Sequence, residues 1–176
     1  MRKLKLQMNG PDLSWDDEVT SFSLENLKNV DCILLGRKTA EGFIPYWAEV
    51  VNNPSAQNLK DGDYKLGKPL TDIPKVVFSK KLKTSKWENA TIITGDIAEE
   101  IKKLKKKKGK NIIVYGGFSF VSSLIKHGLI DEYYFLINPL ASGNGLPIFK
   151  ALSKLPLTLK KCQPFACGTV LLYYTR

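Results

Sequence analysis

The chain has 176 residues, of which 43% are hydrophobic and 25% are charged, and its formal net charge is +10. This length and composition are typical of a soluble globular protein, and we predict a single domain over residues 1–176. No apolar run approaches the roughly 20 residues of a membrane span, and the N-terminus lacks the apolar segment of a signal peptide. Three cysteines without metal-ligand spacing predict reduced thiols in a cytoplasmic protein that has no metal site.

Apolar runs and turn residues predict the first elements of the chain. Residues 3–8 alternate and predict a strand, and residues 9–12 (Asn-Gly-Pro-Asp) predict a turn. We expect Ser23 to cap a short helix that reaches Asn29. Residues 31–35 predict a second, buried strand that ends at Gly36.

The segment after this strand carries cations where a helix should begin. Arg37, Lys38 and Thr39 follow Gly36 directly. The helix dipole disfavours positive charge at an N-terminus, and an anion bound between these side chains and the backbone amides would resolve the conflict. The alternative is that both side chains extend into water. The aromatic residues that follow include Tyr46 and Trp47, which are typical of a core and could also line the pocket of a flat ring.

The middle of the chain offers a second cationic corner. Residues 52–72 lack periodicity and predict a long loop. The strand predicted at residues 75–79 ends in Ser79 and Lys80, a hydroxyl beside a cation. Another strand, at residues 90–94, is closed by Gly95, after which Asp96 should cap a helix.

The largest concentration of charge follows that helix. Seven lysines fall within nine residues: Lys102, Lys103, Lys105, Lys106, Lys107, Lys108 and Lys110. The pattern is more typical of a solvated helix C-terminus than of a nucleic-acid surface, because no aromatic residue lies among these lysines to stack on bases. We therefore expect no nucleic-acid partner and keep that function as the least favoured hypothesis.

A third corner follows the strand predicted at residues 111–115. Gly116 and Gly117 end the strand, and the apolar periodicity at Phe118, Val121, Leu124 and Ile125 predicts a helix, whose first turn includes Ser119 and Phe120. Free amides at a helix start and the absence of Cβ atoms suit a phosphate. A tight turn that needs positive φ explains the glycines equally well, and the residues alone leave both interpretations open.

The final third predicts a strand at residues 132–138, a glycine-rich loop at 141–145 and a closing hairpin at 157–163 and 169–175. Strands that alternate with helices indicate an α/β fold with three layers: a mixed, mostly parallel sheet flanked by helices, with a C-terminal antiparallel hairpin. Ligands bind outside the carboxyl ends of the strands in such sheets. Three anion-friendly corners at this edge indicate a ligand with several phosphates.

The motifs together resemble the dihydrofolate reductase-like superfamily, and most closely the branch that contains the C-terminal reductase domain of the riboflavin biosynthesis protein RibD. The resemblance covers nearly the whole chain. It rests on these segments: 34–39 (Leu-Leu-Gly-Arg-Lys-Thr), 77–80 (Val-Phe-Ser-Lys), 114–117 (Val-Tyr-Gly-Gly), 129–133 (Leu-Ile-Asp-Glu-Tyr), 138–140 (Asn-Pro-Leu) and 143–145 (Gly-Asn-Gly).

The resemblance implies a dihydrofolate reductase-like fold and an NADPH-dependent reductase. Its small-molecule substrate would be a pteridine- or pyrimidine-like heterocycle, either 5-amino-6-(5-phosphoribosylamino)uracil or dihydrofolate. Arg37, Ser79 and Lys80 would hold the 2′-phosphate of NADPH. Gly36, Lys38, Thr39 and the amides from Gly116 to Phe120 would surround the pyrophosphate, and Thr94 with Gly95 would border the adenine. Tyr46 and Trp47 are the candidates for a substrate wall. A homodimer is usual in this branch, and the terminal hairpin is consistent with one.

The chain departs from the family at its first strand, which usually continues into a Ser-x-Asp-Gly segment beside the nicotinamide. Met8 here leads directly to Asn9, so no catalytic carboxylate is assigned, although Asp12, Asp16 and Asp17 are nearby. A cofactor-binding module that has lost catalysis is therefore the second hypothesis. No deaminase domain with zinc-ligand spacing precedes the strand, and we do not expect a full bifunctional RibD.

Overall fold

The computed structural model describes residues 1–8, 14–53, 62–141, 143–150 and 154–176. These residues form an eight-stranded sheet and five helices. The strands are β1 (Leu4–Met8), β2 (Val30–Gly36), β3 (Lys75–Phe78), β4 (Ala90–Ile93), β5 (Asn111–Tyr115), β6 (Glu132–Ile137), β7 (Thr158–Pro164) and β8 (Val170–Thr175). The helices are α1 (Asp17–Lys28), α2 (Arg37–Asn52), α3 (Asp63–Asp72), α4 (Ile97–Lys106) and α5 (Phe118–Lys126).

The sheet has the strand order β4-β3-β2-β5-β1-β6-β8-β7. The six strands from β4 to β6 are parallel, while β8 pairs antiparallel with both β6 and β7. The predicted mixed sheet with a C-terminal antiparallel hairpin is confirmed. Because the parallel strands share one direction, the ends of β2, β3, β4 and β5 lie along the same edge.

Helices cover both faces of the sheet and make it the middle of three layers. On one face, Leu34 and Val114 of the sheet pack in one core with Ile101 of α4 and Leu124 of α5. On the other face, the apolar side chains of α1, α2 and α3 pack against the sheet through residues that include Ile33. Strands buried on both faces need continuous apolar runs, which is why β2 and β5 are readily identified in the sequence.

Two local predictions are wrong. Helix α1 is capped by Asp16, whose carboxylate accepts from the amide of Val19 at 2.8 Å, whereas Ser23 lies buried inside the helix. The long loop predicted at residues 52–72 ends in helix α3, which packs on α2 through Leu66 and Leu70. The turn predicted at residues 9–12 lies outside the described residues, as do residues 54–61.

The polar residues that alternate with apolar ones in β1 take part in a buried hydrogen-bond network. Lys5 and Gln7 are both buried, and Asn26 of α1 joins them. The Lys5 ammonium donates to Asn26 Oδ1 at 2.9 Å, and Asn26 Nδ2 donates to Gln7 Oε1 at 3.0 Å. Burial lowers the pKa of Lys5. The two polar side chains of this strand thus find their hydrogen-bond partner inside the protein, in Asn26 of α1.

Candidate functional site

A cleft of about 510 Å³ opens at the carboxyl ends of β2, β3, β4 and β5. It brings together all three corners predicted to bind an anion. Its polar and glycine lining consists of Gly36, Arg37, Lys38, Thr39, Ser79, Lys80, Thr94, Gly95, Gly117 and Ser119. Phe118 and Phe120 also line it, and Gly116 lies one residue outside. The sequence rule for parallel sheets thus places these segments in one site.

The first corner is the start of α2. Gly36 stands at the cap position with extended backbone, no side chain caps the helix, and its first turn contains no acidic residue. Arg37 and Lys38 therefore add positive charge to an end that already carries the positive pole of the helix dipole. Arg37 Nη1 pairs with Glu41 Oε1 of the same helix at 2.7 Å. This end of the helix is an electrostatic environment suited to an anion.

The second corner is the start of α5, where the chain needs glycine. Gly116 and Gly117 have φ values of +56° and +77°, in the left-handed region that other residues rarely adopt. Helix α5 begins at Phe118 without a side-chain cap. A Cβ atom on Gly117 would stand 2.7 Å from Thr39 Oγ1, so the starts of α2 and α5 approach each other closely. The positive φ values confirm the tight turn, and this turn opens an uncapped helix in the cleft, whereas phosphate binding at this corner stays a prediction.

The third corner follows β3. Ser79 is buried, and its Oγ accepts from the amides of Lys81 and Leu82 at 3.1 and 2.9 Å. This hydroxyl therefore shapes the turn that carries the exposed Lys80 side chain, and its own hydrogen can still be donated into the cleft. Asp96 caps α4 as predicted, with its carboxylate accepting from the amide of Glu99 at 3.0 Å.

The sequence interpretation missed the apolar part of the lining, formed by Phe78, Ile93, Ile97 and Leu146. Phe78 packs against Phe120 with ring centroids 5.2 Å apart. Leu146 is 74% exposed at the lip of the cleft. It belongs to the segment after the glycine-rich loop, where Ser122 of α5 donates to the Ile148 carbonyl at 2.9 Å. The run Leu-Pro-Ile-Phe after that loop was the available signal.

Neither predicted substrate-wall residue lies in this cleft. The Tyr46 hydroxyl donates to the Asp63 carboxylate, and burial together with this bond raises the pKa of Tyr46 to about 12. Trp47 instead lines a second cleft of about 650 Å³, which we call the distal cleft. Trp87 and Lys75 also line the distal cleft, at the opposite end of β3.

The acidic residues near the N-terminus are occupied by structural contacts. Asp16 caps α1 and accepts from the Cys167 amide at 2.9 Å, and the bond from the Val19 amide is the main cause of its lowered pKa. Asp17 pairs with Lys65 at 2.6 Å. Asp12 and the departure from the Ser-x-Asp-Gly pattern lie outside the described residues. Within the described ranges no group of three or more His, Cys, Asp or Glu could hold a metal ion.

The lysine run divides into two kinds of residue. Lys105 is buried, donates to the Leu129 carbonyl at 3.0 Å and pairs with Asp131 at 2.5 Å. The expectation that the whole run is solvated is therefore wrong at this position. Lys102 and Lys103 are exposed and pair with acidic residues one turn earlier in α4.

None of the helices in the described part of the chain is both long and apolar enough to cross a membrane.

Comparison with known proteins decides the family. The model of the RibD C-terminal domain matches residues 10–171. The chain belongs to the RibD C-terminal domain family. The resemblance inferred from its motifs is thus confirmed over nearly the whole chain.

Two proteins of Bacillus subtilis have sequences similar to this chain. The uncharacterized protein YyaP is 33% identical over 150 residues, which cover 84% of this chain and 75% of YyaP. The uncharacterized protein YwjB is 31% identical over 109 residues, covering 61% of this chain and 62% of YwjB.

Two solved structures share the fold of this RibD C-terminal domain. A protein from Shewanella sp. PV-4, provisionally named as a riboflavin biosynthesis protein, matches with a TM-score of 0.66 at 17% identity, over 100% of this chain and 99% of that one. The Thermotoga maritima diaminohydroxyphosphoribosylaminopyrimidine deaminase/5-amino-6-(5-phosphoribosylamino)uracil reductase matches with a TM-score of 0.62 at 14% identity. That match covers 99% of this chain and 56% of the Thermotoga protein, so this chain spans about half of its length.

Proposed function

We propose that this protein is an NADPH-dependent reductase of a pteridine- or pyrimidine-like heterocycle. The observation that carries the proposal is the meeting of two uncapped helix starts and three cations in one cleft. A dinucleotide with a pyrophosphate and a 2′-phosphate is the ligand that needs both features together. The family supports a reductase, and the name of the Thermotoga protein includes 5-amino-6-(5-phosphoribosylamino)uracil reductase.

The pyrophosphate would lie between the starts of α2 and α5. The amides after Gly117 and those after Gly36 would donate to its oxygens, with Lys38 adding charge and Thr39 a hydroxyl. A side chain on Gly117 would fill the space beside Thr39. The residues present therefore fit the group, because the backbone can approach it directly.

The 2′-phosphate would lie between Arg37 and the turn after β3. Lys80 supplies a second cation there, and the Ser79 hydroxyl can donate. Arginine and lysine bind phosphate through charge-assisted hydrogen bonds, which are stronger than neutral ones. Thr94 and Gly95, at the end of β4, would border the adenine ring.

When bound, NADPH supplies the hydride for reduction, so the chain needs no nucleophile of its own. The work of the named residues is to hold the two phosphate groups and thereby fix the position of the dinucleotide. The apolar lining formed by Phe78, Ile93 and Ile97 excludes water from the adenosine end.

A second candidate is a module that binds NADPH without turnover. It is favoured by the engagement of Asp16 and Asp17 in structural contacts, which leaves neither as an evident proton donor. The binding site is the same in both proposals, and only the chemistry separates them.

Calorimetric titration with NADPH, followed by a turnover assay, tests the proposal. Saturable NADPH binding is expected. Addition of dihydrofolate or 5-amino-6-(5-phosphoribosylamino)uracil should then lower the absorbance of the reduced nicotinamide. Binding without turnover of any such heterocycle would support the module. Absence of saturable binding would refute both.

A further inference from the structure

One of the three cations lining the cleft is already paired. Among the ion pairs of the described residues, Arg37 has a carboxylate partner, Glu41, whereas Lys38 and Lys80 have none. The Arg37 and Glu41 side chains are 27% and 39% exposed, and the N–O distance is 2.7 Å. Glu41 does not itself line the cleft, but its carboxylate lies beside Arg37, which does.

The Arg37–Glu41 pair contributes little to the stability of α2. An i,i+4 ion pair stabilises a helix more when the acidic residue comes first, and here the basic residue comes first. Arg37 also stands in the first turn, where the dipole opposes a cation. An exposed pair of this kind is weak, so an incoming phosphate can compete for the guanidinium.

The carboxylate distinguishes two forms of the dinucleotide by their chemistry. A 2′-phosphate that binds Arg37 must approach the negative charge of Glu41, which opposes it. A ribose 2′-hydroxyl carries no charge and can donate a hydrogen bond to a carboxylate, as acidic residues accept from it in other dinucleotide sites. Glu41 therefore penalises the phosphorylated form and tolerates the other.

We propose that Glu41 sets the preference between NADPH and NADH by tempering the attraction of Arg37 for the 2′-phosphate. This inference rests on the proposed dinucleotide site and goes beyond it in assigning a specificity-determining role to a residue outside the cleft. The Glu41 carboxylate then offsets part of the positive charge of Arg37, and removal of this carboxylate increases the preference for NADPH over NADH.

The test is the ratio of the dissociation constants for NADH and NADPH, measured by calorimetry at low ionic strength. Glu41→Gln keeps the size of the side chain and an oxygen for Arg37 but removes the charge. We expect NADPH to bind about 2- to 5-fold tighter, the range of an exposed charge interaction, while NADH binding stays unchanged or weakens. The ratio therefore rises.

Two controls isolate the mechanism. Glu49→Gln, on the same helix but away from the cleft, should leave the ratio unchanged; the Glu49 carboxylate accepts from Asn53 Nδ2 at 3.3 Å. In an Arg37→Ala background, the selective effect of Glu41→Gln should become smaller, because only the direct repulsion between the carboxylate and the 2′-phosphate remains. Circular dichroism and thermal unfolding confirm that each variant is folded.

The outcomes separate this inference from the proposed function. An unchanged ratio in Glu41→Gln, or equal tightening of both dinucleotides, overturns the role of Glu41 while the site itself stands. A selective gain that is undiminished in the Arg37→Ala background also overturns it. Failure of the unsubstituted protein to bind either dinucleotide overturns both proposals.

Discussion

The two clefts at opposite ends of β3 use cations in opposite ways. At the carboxyl end, Arg37 and Lys38 stand at the start of α2, where the helix dipole opposes them. At the amino end, the Lys75 ammonium donates to the Thr71 carbonyl in the last turn of α3. The dipole favours a cation there, so the protein itself satisfies Lys75.

This difference teaches how to distinguish a structural cation from one that awaits a ligand. In the distal cleft, Asp72 is paired with Lys68 at 2.7 Å, and Asn89 donates to the Asp72 carbonyl at 2.7 Å. Lys75, Asp72 and Asn89 of that cleft thus each have a partner within the protein. The cleft at the carboxyl ends keeps two helix starts without side-chain caps. Under the proposed function, a bound anion would complete the stabilisation of its cations.

The largest expected effect is on the 2′-phosphate contacts. Replacing both Arg37 and Lys80 with alanine should weaken NADPH binding by on the order of 30- to 1,000-fold, equivalent to about 2–4 kcal/mol. NADH lacks the phosphate and should be affected much less. Parallel calorimetric titrations of the double variant with the two dinucleotides measure the difference, and equal weakening of both would contradict the assignment.

The matched change in the distal cleft acts on stability instead. Burial lowers the pKa of Lys75 to about 8, while the unfolded chain keeps the ordinary value of 10.5. Between these values the unfolded state binds more protons at Lys75, so the contribution of Lys75 to the free energy of unfolding should rise with pH across this window, by up to about 3 kcal/mol. Below pH 8 the ammonium must stay charged in its buried position, and the folded state is penalised.

Denaturant unfolding of Lys75→Met beside the unsubstituted protein isolates this contribution. The burial of Cys32 and Tyr46 raises the pKa of each group and gives an opposite slope at high pH, but both proteins share it. The difference between the two unfolding free energies should therefore change from about pH 8 to about 10.5. A difference that stays constant with pH would show that Lys75 is not desolvated as described.

A third prediction concerns the glycine turn that is proposed to receive the pyrophosphate. Gly117→Ala should destabilise the protein by on the order of 1–3 kcal/mol, because φ is +77° and the new Cβ would meet Thr39. Gly42→Ala is the control, since it lies inside α2 with no atom within 4 Å of the added methyl group. That substitution should stabilise by about 0.5–1 kcal/mol. Similar unfolding midpoints for the two variants would argue against a strained glycine turn.

The sequence predicted those features that short segments determine. The apolar runs of β2 and β5 and the glycines at their ends are local signals, and the rule for parallel sheets then places the corners at one edge. Helix α3 was missed because Gly67 and Pro69 favour a loop, whereas packing on α2 stabilises a helix. A Cβ on Gly67 would stand 2.7 Å from Val50 Cγ1, so the glycine permits this close approach.

Features that depend on distant residues were beyond the sequence. The distal cleft is lined both by Trp47 of α2 and by Trp87 of the segment between β3 and β4, and no motif links the two residues. The burial of Lys105 depends on Asp131, which follows α5. The predicted homodimer and the 2′-phosphate contacts stay predictions, because they concern partners outside the chain.

The smallest expected effect concerns the lysines at the end of α4, which resemble Lys75 in their relation to a helix dipole. Ile97 at the start of α4 lines the cleft, and Lys106 ends the helix nine residues later, about 14 Å away at 1.5 Å per residue. That distance exceeds the Debye length of about 8 Å at physiological ionic strength. Replacing Lys106, Lys107 and Lys108, which lie at or beyond this end of the helix, with glutamine should therefore change the NADPH dissociation constant by less than about 2-fold. A larger loss of NADPH affinity would mean that the lysine cluster contributes to the site. Oligonucleotide binding that depends steeply on salt, and that the same triple variant abolishes, would instead identify the lysine cluster as a nucleic-acid surface.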